Sequence, residues 1–248
     1  MQPRVLLVTG GSRGIGAEVA YRASRSDWHV LLTYVQDQAS ARGVVDRIRS
    51  DGGSAGAIKC DVQDEAAIVG AFRAADAVGR LEGLVVSAGI VGPAARVDEL
   101  DAERVMRILV VNTFGAIMCC REAVRRMSTR HGGTGGSIVL VSSAASRLGS
   151  PNEYVDYAAS KGAIDTLGLG LAREVAGEGI RVNVVRPGII DTQIHASGGQ
   201  PGRVARLGPL TPMGRAGTVS EVAEGVLWFL GEDSSYCTGS ILDVAGGR

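Results

Sequence analysis

The chain lacks a surplus of either charge: 26 Lys and Arg stand against 26 Asp and Glu, for a formal net charge of +0. That balance argues against a nucleic-acid binder, which usually carries a basic excess. No apolar stretch approaches the roughly 20 residues that a membrane helix needs. The opening MQPRVLLVTG holds an apolar run of only a few residues, too short for a secretory leader. Cysteine is sparse. Cys60, Cys119, Cys120 and Cys237 form no CxxC pair, and the adjacent Cys119 and Cys120 cannot make an ordinary structural bridge. A reducing cytoplasm is the natural reading. The three histidines and four cysteines show no metal-ligand spacing, so no metal is expected. No GxSxG elbow occurs, which removes the usual serine-hydrolase arrangement. Repeats of fixed period and low-complexity segments are missing as well.

What is present is glycine, 36 residues of it, in a chain that is 45% hydrophobic and 21% charged. The glycines follow no period and suit tight turns and close backbone approach. Short β-like runs lie at 5–10, 29–35, 54–62, 83–89, 136–143, 179–188 and 239–247. Most are continuously apolar, as strands buried on both faces of a parallel sheet are. Helix-like segments fall between them at 15–25, 38–51, 64–79, 101–130, 156–177 and 219–230. Regular alternation predicts an α/β protein: one doubly wound Rossmann-type domain over 1–248, with a seven-stranded parallel sheet flanked by helices on both faces. The stretch 189–215, rich in Gly, Pro and basic residues, breaks the alternation just after a strand end. Ligands bind beyond the carboxyl ends of such strands, so 189–215 is a candidate substrate loop or lid, or else an ordinary long connection.

After the first strand, TGGSRGIG (9–16) leads directly into a helix. Gly10 permits the tight turn, Gly14 lets backbone approach a pyrophosphate, and Gly16 allows close helix–strand packing. The helix start then offers free N–H groups to phosphate. Cofactor choice turns on the end of the second strand, where an NAD site usually carries a carboxylate. Here Thr33, Tyr34 and Val35 occupy that place, and Asp37 comes two or three residues late. Arg13 suits a 2′-phosphate by guanidinium geometry. NADP(H) is therefore expected over NAD(H). Asp61 in CDV can accept from an adenine amino group, and Ser87, Ala88 and Gly89 can line the adenosine side with small residues.

Tyr157 and Lys161 stand four apart in a helical run that otherwise reads as core, so phenol and ammonium reach one volume. A phenol of pKa ~10 is a poor acid–base catalyst at neutral pH. An ammonium about 4 Å away, at an effective dielectric near 20, favours the phenolate by roughly 4 kcal/mol. That is roughly three pK units, enough to bring Tyr157 near the operating pH.

TGGSRGIG, CDV, SAG, VNTFG, VSS, YAASK and VRPG together resemble, in order and spacing, the short-chain dehydrogenases/reductases, over essentially the whole chain. Within that family the sequence is similar to the bacterial glucose-dehydrogenase-like and 3-oxoacyl-carrier-protein-reductase-like branch. Two departures are visible: SAG replaces the commoner NAG, and one residue is added before Tyr157. The addition favours Ser143 over Ser142 as the serine of the site. The resemblance implies Asn112, Ser143, Tyr157 and Lys161 as the catalytic set. Tyr157 exchanges the proton, Lys161 tunes it and holds a ribose hydroxyl, Ser143 steadies the carbonyl oxygen, and Asn112 holds a helix irregularity and a relay water. It further implies cofactor contacts at Ser12, Ile15, Val62, Pro187, Gly188, Ile190 and Thr192, besides Gly10, Arg13, Gly14, Gly16, Tyr34, Asp61, Ser87, Ala88 and Gly89. Ala145, Tyr154, Ile189 and His195 would border the substrate.

The implied activity is reversible hydride transfer between a carbonyl and a secondary alcohol, on a sugar, polyol or small ketone. A 3-oxoacyl-carrier-protein reductase is the alternative. Arg125, Arg126 and Arg130 offer the basic surface a carrier protein needs, while Glu178 stands where such reductases commonly have a basic residue. A catalytically silent NADP-sensing regulator is a third reading, and it should lack the Tyr/Lys pair. The small-molecule substrate would be the main partner, with no nucleic acid and no membrane. Relatives commonly form tetramers through the helices at 101–130 and 156–177.

Overall fold

Alternate residues of the apolar runs feed two separate cores, and this fixes the layers. The computed structural model describes residues 2–248. Its seven strands are β1 (Arg4–Thr9), β2 (Trp28–Tyr34), β3 (Ser54–Lys59), β4 (Arg80–Val86), β5 (Gly136–Val141), β6 (Ile180–Pro187) and β7 (Ile241–Val244). They form one sheet in the order β3-β2-β1-β4-β5-β6-β7, with every pairing parallel. In β1, Val5 and Leu7 join one core while Leu6 and Val8 join the other, and all four are fully buried. This is the period-2 alternation of a strand covered on both faces.

Helices α1 (Gly14–Ala23), α2 (Gln38–Ser50) and α10 (Val219–Leu230) cover one face. On the other lie α3 (Glu65–Val78), α5 (Gly115–Met127) and α7 (Val155–Val175). The doubly wound α/β fold is thus as the alternation predicts. Strand order reverses at β1, which has β2 on one side and β4 on the other, and this opens a crevice at the carboxyl ends.

Several boundaries differ from the sequence reading. The seventh strand, expected over 239–247, is confined to Ile241–Val244, and the fifth, expected over 136–143, ends at Val141. The third strand, expected over 54–62, stops at Lys59, so Cys60, Asp61 and Val62 lie in the turn beyond it. The fourth, expected at 83–89, runs from Arg80 to Val86, which frees Ser87, Ala88 and Gly89 as loop. The single helix expected over 101–130 is divided into α4 (Ala102–Leu109), a π turn over Val110–Phe114, and α5. Hydrophobic periodicity does not register a π turn, because one extra residue shifts the phase without changing composition.

The stretch 189–215 is not wholly irregular. It follows α6 (Ala145–Leu148) and α7 in the chain and carries two short helices, α8 (Ile194–Ser197) and α9 (Arg203–Leu207). It is tied down at both ends of its course. Ile190 bridges Gly217, and Arg203 reaches Glu153 at 2.7 Å, just before α7.

Candidate active site

The glycine loop owes its shape to two left-handed residues. Gly10 has φ +64° and Gly14 φ +57°, conformations that side chains disfavour. A Cβ on Gly10 would come within 2.8 Å of Ala88 Cα, so the turn can sit against the end of β4 only without a side chain. Gly16 works differently: a Cβ there would lie 2.4 Å from the Gly10 carbonyl oxygen. It is buried and does not border the cleft, so its part is packing rather than contact. Two threonines that sequence reasoning passed over hold the loop. Thr33 Oγ1 accepts from Gly10 N at 3.2 Å, and Thr9 Oγ1 accepts from both Ser87 N and Ala88 N at 3.1 Å. The signal for them was a hydroxyl at the last buried position of an apolar strand. Arg13 precedes α1, and its side chain does not cap the helix, so the first N–H groups of α1 remain open towards the crevice. This cradle fits a dinucleotide pyrophosphate.

The crevice encloses a cavity of about 610 Å³. Every catalytic, cofactor-contact or substrate-border residue named from sequence lines it except Gly16 and Asn112. Sequence reasoning did not name Val91, Leu148, Gln193, Ile194 or Arg203, which border it too; the lid residues among them lie in a segment without periodicity. At the far end, Arg13 is exposed beside Asp37. Asp37 is the N-cap of α2, with its carboxylate accepting from Ser40 N at 2.9 Å and Ser40 Oγ at 2.6 Å. The Asp61 carboxylate accepts from Gln63 N at 3.0 Å.

At the other end stand Ser143, Tyr157 and Lys161. Tyr157 lies in the first turn of α7, and its phenol stands beside the hydroxyl of Ser143, which follows β5. Ser142 is instead buried with its hydroxyl donating to the Lys161 carbonyl at 3.1 Å, so Ser143 is the serine that faces the phenol. Lys161 Nζ donates to Val141 O at 2.9 Å and stands 5.7 Å from the centre of the Tyr157 ring. Asn112 lies behind this cluster, in the π turn. Its Oδ1 accepts from Ile90 N at 2.8 Å, and its Nδ2 donates to Ile90 O at 2.9 Å and to Ser160 Oγ at 3.0 Å. Gly89 closes the group, since a Cβ there would lie 3.3 Å from Asn112 Oδ1 and 3.5 Å from Lys161 Nζ.

The electrostatics correct one expectation. Lys161 was expected to lower the Tyr157 pKa by about three units. Burial instead pushes the phenol up, with only the Ser143 hydroxyl opposing it. The same enclosure drives the Lys161 ammonium down to about 8. Both groups lose water together, and the ammonium is committed to the Val141 carbonyl rather than aimed at the phenol oxygen.

The four candidate pocket residues divide. Tyr154 is wall: its ring is buried, with the Arg203 guanidinium 4.9 Å from its centre. His195 is engaged with the Ile190 carbonyl at 3.0 Å, and burial lowers its pKa. Ala145 and Ile189 border the cleft as apolar surface.

Cradle, crevice and polar cluster make a dinucleotide-type α/β site. A family model described as Enoyl-(Acyl carrier protein) reductase matches residues 10–248. The chain is 51% identical over 245 residues to the uncharacterized oxidoreductase YgfF of Escherichia coli (strain K12), covering 98% of this chain and 99% of that one. It is 34% identical to 3beta-hydroxysteroid dehydrogenase 1 of Eggerthella lenta, covering 100% and 94%. A solved short-chain dehydrogenase from Burkholderia cenocepacia J2315, in complex with NADP, superposes with a TM-score of 0.90 at 32% identity, over 99% of this chain and 98% of that one. The chain belongs to the short-chain dehydrogenase/reductase family. It is an oxidoreductase of that family, whose members use a nicotinamide cofactor. Among the described residues no helix is long and apolar enough to cross a membrane.

Proposed function

We propose that the protein is a cytoplasmic NADP(H)-dependent oxidoreductase that interconverts a small ketone and its secondary alcohol, with Tyr157 as the acid–base. The observation that carries this reading is that Ser143, Tyr157 and Lys161 line the same crevice as the glycine cradle. A bound reduced nicotinamide supplies the hydride. Ser143 orients the carbonyl oxygen, Tyr157 donates the proton that the forming alkoxide needs, and Lys161 holds positive charge beside the phenol. Residues 1–248 act as one unit, with 189–215 as the substrate lid. The crevice walls include the apolar Ala145, Leu148, Ile189 and Ile194 beside the polar Gln193 and His195, a mixed surface that admits a small ketone. A 3-oxoacyl-carrier-protein reductase is less well supported. Arg125 and Arg126 are paired with Glu122, Arg126 also with Asp76, and exposed Arg130 stands near Glu178. A silent NADP-sensing regulator is disfavoured by the intact polar cluster.

The first test is titration with NADPH and NADH by fluorescence, followed by a carbonyl panel in the same cuvette. Tight NADPH binding with turnover supports the reading; binding without turnover favours the regulator. β2 ends at Tyr34 without a carboxylate, and Asp37 is occupied as a helix cap. Arg13→Ser is therefore expected to weaken NADPH about tenfold or more, the loss of a charge-assisted contact, and to leave NADH within about twofold. Equal weakening of both cofactors would mean that Arg13 does not read the 2′-phosphate.

The chain is further proposed to be a homotetramer. Met106, Phe114 and Ile117 on the α4–α5 segment and Leu169 on α7 are exposed apolar residues on the helices that would meet. Light scattering should give a four-chain mass, and a one-chain mass would refute the assembly.

A further inference from the structure

The four-residue step from Tyr157 to Lys161 is repeated once more along α7. Asp165 follows at the same interval, so phenol, ammonium and carboxylate share one stripe of the helix. Asp165 is buried, 7% exposed. Its Oδ2 accepts from Arg186 Nε at 3.0 Å and Nη2 at 2.8 Å, while Oδ1 is buried with no hydrogen-bond partner among the described residues. A buried carboxylate with an empty oxygen costs stability that an apolar residue would not. Packing alone therefore does not account for it. The next turn supplies the other half. Lys161 is buried with one hydrogen bond, to Val141 O, and Asp165 is the one charge that opposes the effect of burial on it.

We propose that Asp165 is a positioning residue for catalysis: anchored by Arg186, its carboxylate keeps Lys161 an ammonium at neutral pH and so sets the alkaline limit of the reaction. This rests on reading Tyr157 and Lys161 as the acid–base pair. Around Lys161, β5 presents the Val141 carbonyl and Ser142, the loop after β4 presents Gly89, and the π turn presents the Asn112 amide. β6 brings Arg186, with Asp243 of β7 3.9 Å beyond it. On α7 itself Tyr157 and Asp165 flank Lys161 one turn away on either side; Asp156 is paired with Arg104, and Arg173 and Glu174 lie more than two turns beyond. The sign follows from these charges. A lysine whose pKa has fallen to about 8 loses its proton as pH rises through that value. Neutralising Asp165 removes the opposing charge, so the ammonium is lost at lower pH, and the acid side of the profile stays where it was.

The chain contains two lysines, Lys59 and Lys161, so selective lysine ε-13C labelling gives two signals, which Lys59→Arg assigns. In Asp165→Asn the Lys161 midpoint should fall by about one pH unit with Lys59 unmoved. The alkaline limb of kcat should move with it, and Asp165→Glu should bring both back. Lost activity with an unmoved midpoint would make Asp165 merely structural and overturn the proposal. So would a wild-type Lys161 midpoint near the ordinary lysine value of about 10.4. If the Asn variant does not fold, the double variant Asp165→Asn/Arg186→Gln, which strands no charge, decides: the Lys161 midpoint should still fall, and an unmoved midpoint overturns the assignment. A midpoint that shifts as described in a wild-type background that turns over no carbonyl would sink the reductase reading while leaving the Asp165–Lys161 coupling in place.

Discussion

Tyr157→Phe is expected to lower turnover by about two to four powers of ten while leaving NADPH binding within about threefold. The substitution removes one oxygen. That oxygen stands beside the Ser143 hydroxyl and is the proposed proton donor to the substrate oxygen. The ring borders the cleft and keeps its packing on α7, so the fold should tolerate the change. The effect should fall on kcat, because the lost interaction matters once negative charge develops on the substrate oxygen. Direction should matter as well. Burial raises the Tyr157 pKa above its usual value, so the wild-type phenol stays protonated through neutral pH. That is the form carbonyl reduction consumes. Alcohol oxidation needs the phenolate, which that raised pKa keeps scarce, so oxidation should be the slower direction at neutral pH. Residual activity within tenfold of wild type, measured by NADPH absorbance at saturating ketone, would remove Tyr157 from the proton-transfer step.

The layers of the fold were legible because its strands are buried on both faces: a run such as VLLVT has few other places to go. The glycine cradle was legible for a related reason, since left-handed turns and a 2.4 Å approach exclude most other residues from Gly10, Gly14 and Gly16. The pairing of Tyr157 with Lys161 followed from helix geometry alone. What was not legible depends on contacts distant in sequence. The break in the long helix at Val110–Phe114 agrees with the helix irregularity that the resemblance implied at Asn112, but its ties to Ile90 and Ser160 through that side chain are announced by no local pattern. The elevated phenol reflects how much protein surrounds the pair, a property of the closed crevice rather than of a four-residue spacing. Arg203 of the stretch 189–215 lines the cleft while paired with Glu153 and stacked on the Tyr154 ring, partners about 50 residues earlier in the chain. Asp165 reads in sequence as one more helical carboxylate. Its significance needs Arg186 from a strand 21 residues away.

Asn112→Leu is expected to destabilise the protein by about 3 kcal/mol or more, the sum of several buried groups left without partners. For a domain of this size that is a Tm loss of about 6–12 °C. Leucine matches asparagine in side-chain heavy atoms but is bulkier, so some overpacking adds to the polar cost at this buried site. Three partners are orphaned: Ile90 N–H, Ile90 C=O and the Ser160 hydroxyl. Each is next to the site. Ile90 follows Gly89 in the loop that closes on Lys161, and Ser160 Oγ also donates to the Tyr157 carbonyl at 2.7 Å. Asn112 thus joins the loop after β4 to the first turn of α7, and the π turn is what places its amide between them. Asn112→Asp separates the two contributions: it keeps an acceptor for Ile90 N–H but loses the donor to Ile90 C=O and Ser160. It should therefore lose less Tm than the leucine variant, with kcat reduced in both because Tyr157 and Lys161 lose a shared brace. A leucine variant that melts within about 2 °C of wild type would mean that the bonds to Ile90 and Ser160 are not what holds the π turn, and the brace between loop and helix would have to lie elsewhere.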